Sequence, residues 1–153
     1  SMHGVDPLAK SSRPKARLVW TQDYSVAHAH IDAQHQRLFR MVENLSEAMA
    51  ADQGQTVISR LLRELVDYAA THFAYEEGAM EQAHYPDVAA HRVAHQKLTS
   101  TLEEIARQFE NGDASTKREV MHFLENALRK HILSVDKKYA PYIRSNRKRE
   151  MAA

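Results

Sequence analysis

Four stretches of this chain repeat apolar residues at helical spacing, and each interrupts its own stripe with residues of metal-ligand type. The first, from about Asp32 to Ala50, sets Leu38, Phe39, Val42, Leu45 and Met49 on one face with His35. The second, from about Thr56 to Ala83, sets Ile58, Leu62, Leu65 and Ala69 in line with His72, Phe73, Glu76 and Met80. The third, about 87–110, runs His91, His95, Leu98, Leu102, Ile105 and Phe109, a 4-3-4-3-4 spacing suited to a bundle seam. The fourth, about 117–137, carries Val120, Leu124, Ala127, Leu128, His131 and Val135. Four such helices with short connections predict an all-α, up-down-up-down four-helix bundle.

Local signals set the expected boundaries. Asp32 reads as the N-cap of the first helix, and Thr116 with Glu119 as a capping box for the fourth. Gly54 and Asn111-Gly112-Asp113 are turns, and Tyr85-Pro86 ends the second helix, leaving Pro86 for the first turn of the third. Residues 1–17 have no periodic pattern and are expected to form a disordered N-terminal arm whose opening Ser-Met is a cloning remnant. Residues 18–143 are the expected bundle, entered through an extended N-terminal arm at 18–26. Pro141 and the basic tail RSNRKR lead into a terminal segment at 144–153.

The interruptions converge. Five histidines and two carboxylates, His35, His72, Glu76, His91, His95, His131 and Asp136, point into one interior. Residues four apart share a helix face, so His72 with Glu76, and His91 with His95, can each hold one ion. His131 and Asp136 are five apart, about 140° round an ideal helix. A local widening or fraying near Ser134–Asp136 is therefore expected to bring the carboxylate inward. A lone buried histidine is usually an ordinary core residue, but burying seven such groups without an ion would cost several kcal/mol per charge. Chance placement of these types at seven set positions, given ten His and 20 acids in 153 residues, is on the order of 10⁻⁸ before loop-length freedom. Seven ligands exceed one tetrahedral zinc and suit two six-coordinate ions sharing carboxylates. With no Cys, thiolate zinc, iron–sulfur and disulfide chemistry are excluded, and Fe, Mn, Co, Ni or Zn remain open by ligand type.

Composition narrows the class further. Lys+Arg (21) nearly balance Asp+Glu (20), which argues against a nucleic-acid surface. There is no membrane-length apolar run and no secretory pattern, so a cytoplasmic location is expected.

The chain resembles the hemerythrin family, specifically its bacterial members, over about residues 20–140. The resemblance lies in Trp20 and YSV (24–26), IDxQHxxLF (31–39), HFxxEExxM (72–80), YPxxxxHxxxH (85–95) and HIxxxDKxY (131–139). Myohemerythrin is itself a standard example of the up-down bundle, so the agreement in fold is not independent support. The resemblance implies a non-haem di-iron centre that binds O₂ reversibly. It assigns His91, His95 and His131 to one iron, and His35 and His72 to the other, which keeps an open position. Glu76 and Asp136 would bridge the two beside an oxo or hydroxo group, and Leu128 would line the O₂ pocket. Phe73, Met80 and Leu124 are read as core packing, and Glu77 as solvated.

The chain departs from the family at Ala27–His30, where relatives usually carry a Gly and often a Pro. His28 and His30 are read as surface residues, and His3, His28, His30, His84 and His122 are excluded as ligands. The implied function is an O₂ carrier, store or scavenger, not an enzyme, since no further buried acid–base residue is expected. The alternatives are an O₂ or redox sensor acting through a partner protein, a peroxide-reducing or iron-oxidising di-iron enzyme, and a zinc-filled structural bundle.

Overall fold

The computed structural model describes residues 18–112 and 117–153. The arm at 1–17 and the Thr116 capping box lie outside the described residues, as do Asp113 and His3. Four long helices follow in order: α1 Ala29–Ala50, α2 Gln55–Gln82, α3 Val88–Glu110 and α4 Lys117–Ser134. A 3-10 turn at Asp136–Tyr139 leads into a fifth helix, α5 Ala140–Ala152. No described helix is long and apolar enough to cross a membrane.

The stripes face inward as the spacing predicts. Leu38, Val42 and Leu45 of α1 meet Ile58, Leu62 and Leu65 of α2, Leu102 and Phe109 of α3, and Val120 and Leu124 of α4 in one apolar layer. A smaller second layer holds Val26, Ile31, Met80, Tyr85, Tyr139 and Ile143. Between the two lie the buried imidazoles and carboxylates.

The helix ends differ in detail from the sequence reading. The α1 N-cap is His28, not Asp32: its Nδ1 accepts from the Ile31 N–H at 3.2 Å, and His28 is buried, not on the surface. Asp32 sits in the first turn and ties the preceding segment down. Its oxygens accept from the Ser25 hydroxyl at 2.6 Å and the Val26 N–H at 2.9 Å. Ala27 turns the chain there with φ of 60°, a left-handed conformation that glycine adopts with less strain. Tyr24 and Val26 are buried, so the 18–26 segment lies on the bundle, with a short 3-10 turn at Gln22–Tyr24. Helix α2 ends with His84 in the left-handed region and the Tyr85 N–H bonded to the Met80 carbonyl, a Schellman arrangement. Pro86 falls before α3, not in its first turn.

The largest difference is at the chain's end. Helix α4 stops at Ser134, within the stretch where a widening or fraying is expected, and the chain continues as a 3-10 turn without widening. Pro141 does not end the helical structure: it occupies the first turn of α5, where its missing N–H costs nothing. The basic residues Arg144, Arg147, Lys148 and Arg149 therefore lie on a helix, packed through Ala140 and Ile143 onto the second apolar layer.

Candidate metal centre

Helix periodicity brings six of the seven ligand-type residues inward, and the 3-10 turn brings the seventh. Asp136 is 0% exposed, because ending α4 at Ser134 rotates the carboxylate back under His131. His35, His72, Glu76, His91 and His95 are each 3% exposed or less, and His131 is 8% exposed.

The donor atoms form two groups that share the carboxylates. Glu76, His91, His95, His131 and Asp136 make one, and His35, His72, Glu76 and Asp136 the other. Glu76 turns Oε1 towards His95 Nε2 at 3.0 Å and His91 Nε2 at 3.4 Å, and Oε2 towards His35 Nε2 at 3.2 Å and His72 Nε2 at 3.4 Å. Asp136 divides itself the same way. Its Oδ1 faces His131 at 2.9 Å and His91 at 3.0 Å, and its Oδ2 faces His35 at 3.1 Å.

These contacts are close, yet several are not hydrogen bonds. His91 Nε2, His131 Nε2 and both Asp136 oxygens are buried with no hydrogen-bond partner. Such buried atoms are costly unless something else satisfies them. Lone pairs that converge at about 3 Å without hydrogen-bond alignment are what ligands of a common cation present. The donor set fits two ions, one with three imidazoles, one with two, and both carboxylates between them.

The electrostatics agree. Burial pushes the Glu76 carboxyl up, but the imidazoles of His35, His72, His91 and His95 gathered around it outweigh that and hold the group well below the usual carboxylate range. Burial and the Glu76 charge push Asp136 up, and His131 and His35 bring it down. Burial lowers the His35 and His91 imidazoles, yet Asp136 and Glu76 lift both to about 9. The pocket is thus a concentrated negative field that accepts protons or cations.

The supporting contacts were not foreseen. Glu77 is not merely solvated: half-buried, it brings its Oε2 to 2.6 Å from His95 Nδ1. The Gln34 Oε1 lies 2.7 Å from His72 Nδ1. Tyr139, 0% exposed, donates its hydroxyl to Glu76 Oε2 at 2.6 Å. Burial and the charges of Glu76 and Asp136 raise the phenol well above its ordinary range, so it stays a donor. The expectation of no further buried acid–base residue therefore fails at Tyr139; Glu125 on α4 is buried as well. Gln34 and Tyr139 both stand in the motifs IDAQH and HIxxxDKxY, so the signal was on the chain without a role attached.

Beside the cluster is an apolar cavity of about 60 Å³. His35, His72, His131 and Asp136 border it on one side, and Leu128, Leu124 and Phe73 on the other. Phe73 is more than packing, since its ring stacks on His95 at 4.0 Å. The excluded histidines stay apart from both donor groups: His30, His84 and His122 are exposed, and His28 caps α1.

Comparison with known proteins gives the same reading. Residues 26–143 match the model of the hemerythrin HHE cation binding domain. The chain belongs to the hemerythrin family. A bacteriohemerythrin of Methylococcus capsulatus is 33% identical over 127 residues, covering 82% of this chain and 96% of the relative. One from Stenotrophomonas maltophilia is 33% identical over 131 residues, covering 86% of this chain and 84% of its own. A crystal structure of wild-type hemerythrin superposes with a TM-score of 0.76 at 32% identity, covering 82% of this chain and 96% of that one.

Proposed function

We propose that this hemerythrin binds O₂ reversibly, as a carrier, store or scavenger, at two iron ions held by His35, His72, Glu76, His91, His95, His131 and Asp136. The observation that carries the reading is the division of both carboxylates between a three-imidazole and a two-imidazole group. Bound there, a pair of irons would supply two electrons to O₂ and take them back on release. His35 and His72 leave their ion one donor short of its neighbour, on the side that meets the apolar cavity. Leu128, Leu124 and Phe73 line that cavity with carbon, which admits a small neutral molecule and discourages water. Tyr139 holds Glu76 Oε2 in place with a hydroxyl that does not ionise at neutral pH. The cavity is far smaller than the roughly 300–1,000 Å³ of ordinary organic-substrate pockets, which favours a small molecule such as O₂ over an organic substrate.

The test is direct. The iron-loaded protein is reduced without air, O₂ is admitted, and the visible spectrum is followed. A band that forms with O₂ and vanishes under inert gas is the expected result. Immediate, irreversible oxidation would favour a sensor or an enzyme. Two zinc ions and no iron in protein from native cells would defeat the iron reading.

A further inference from the structure

His72 and His95 both aim Nε2 at the centre and turn Nδ1 outward, but to chemically different partners. His95 Nδ1 meets a carboxylate, Glu77 Oε2, at 2.6 Å. His72 Nδ1 meets a neutral amide, Gln34 Oε1, at 2.7 Å. Each contact continues to the surface. The other Glu77 oxygen accepts from Arg92 Nε at 3.4 Å, and Arg92 also pairs with Glu81. Gln34 turns its amide nitrogen to His30 Nε2 at 3.3 Å. The outward nitrogens of His35 and His91 are buried with no partner. A carboxylate paired with a guanidinium thus backs the three-imidazole group, and a neutral amide backs the two-imidazole group.

We propose that this difference sets the order and strength of metal binding: Glu77 is a positioning residue for His95 that makes the His91/His95/His131 group the tighter, first-filled and more electron-rich position. Gln34 orients His72 without lending it charge, and leaves the His35/His72 group weaker and more electron-poor. The inference rests on the two-ion reading above. An imidazole whose Nδ1–H donates to a carboxylate gains negative character, which strengthens Nε2 as a donor and fixes its tautomer. An amide oxygen fixes the tautomer equally well but polarises the ring less. The extra imidazole and Glu77 act in the same direction, so the two positions are driven apart. The weaker position is then the one whose two imidazoles both border the apolar cavity.

The experiment titrates the metal-free protein with Zn²⁺ while NMR follows the imidazole Nδ1–H protons. The first equivalent is expected to move the resonances of His91, His95 and His131, and the second those of His35 and His72. Glu77→Gln, which keeps the shape and removes the charge, is expected to weaken the first step by about 10- to 100-fold and merge the two steps. The same variant loaded with iron should show a higher midpoint potential. Gln34→Glu should tighten the second step. Unchanged steps in Glu77→Gln, or a first equivalent that fills the His35/His72 group, would overturn the inference. So would a variant whose metal-free form melts earlier while its two steps stay as far apart as in the parent, since Glu77 would then be structural only. Saturation at one Zn²⁺ refutes the two-ion reading and the inference with it, whereas two equal steps in the parent refute the inference alone.

Discussion

The large apolar layer and the polar belt beneath it are built by opposite means from the same four helices, the belt adding Asp136 from the turn after α4. In the layer, Leu45, Leu62 and Phe109 are each 1% exposed or less and pack their side chains among other apolar ones. In the belt, His35, Glu76 and Asp136 are buried as deeply, but their charge and lone pairs have no carbon-like solution. The layer stabilises the fold through area removed from water. The belt stabilises it only when something cationic satisfies the donors. Burial alone therefore says little about which part of this bundle holds it together under given conditions.

Metal removal breaks the comparison most strongly. An ion at 1,000 times its dissociation constant contributes about 4 kcal/mol, so stripping two should cost about twice that. Chelation, or His95→Ala, should lower iron content and melting temperature together, read by metal analysis and calorimetry. Unchanged iron in His95→Ala would contradict the ligand set. Leu62→Ala probes the other layer. It should cost about 2–5 kcal/mol in denaturant unfolding and leave the metal content intact, since Leu62 borders neither the belt nor its cavity. Tyr139→Phe, where the belt meets the second layer, should cost about 1 kcal/mol in the same assay and make Glu76 less fixed. Ala27→Gly should be the smallest change and of opposite sign. It relaxes a left-handed alanine against the added entropy of glycine, for a net gain of at most about 1 kcal/mol by thermal melt. A loss of stability there would show that the strain at Ala27 is smaller than the entropy that glycine adds.

Helical period made most of this legible. His35, His72, Glu76, His91 and His95 sit where a 3.6-residue repeat puts core residues, so their convergence could be read from spacing. The five-residue step from His131 to Asp136 announced a break but not its kind, because a widened turn and a helix that ends and changes direction can both return a carboxylate inward. Glu77 was missed for a different reason. One residue past Glu76, it leaves the core-facing stripe of α2 and points along the seam with α3, where His95 waits. Periodicity within one helix carries no information about what the next helix presents at its flank. Helix α5 was not legible because Pro141 and the basic run after it read as a tail, although a proline is equally at home in a first turn.

The tightened turn after α4 has one more consequence, in the statistics of the chain. His35 lies near the start of α1 and Asp136 beyond the end of α4, yet their side chains meet at 3.1 Å. Ions held in this belt would tie together segments that an unfolded chain keeps far apart, and closing so long a loop removes conformational freedom from the unfolded ensemble. In a chain without a single cysteine, the belt would then do by coordination what secreted domains do with disulfides. Such a tie would be released by a chelator and restored by metal, with no change in redox state of the polypeptide.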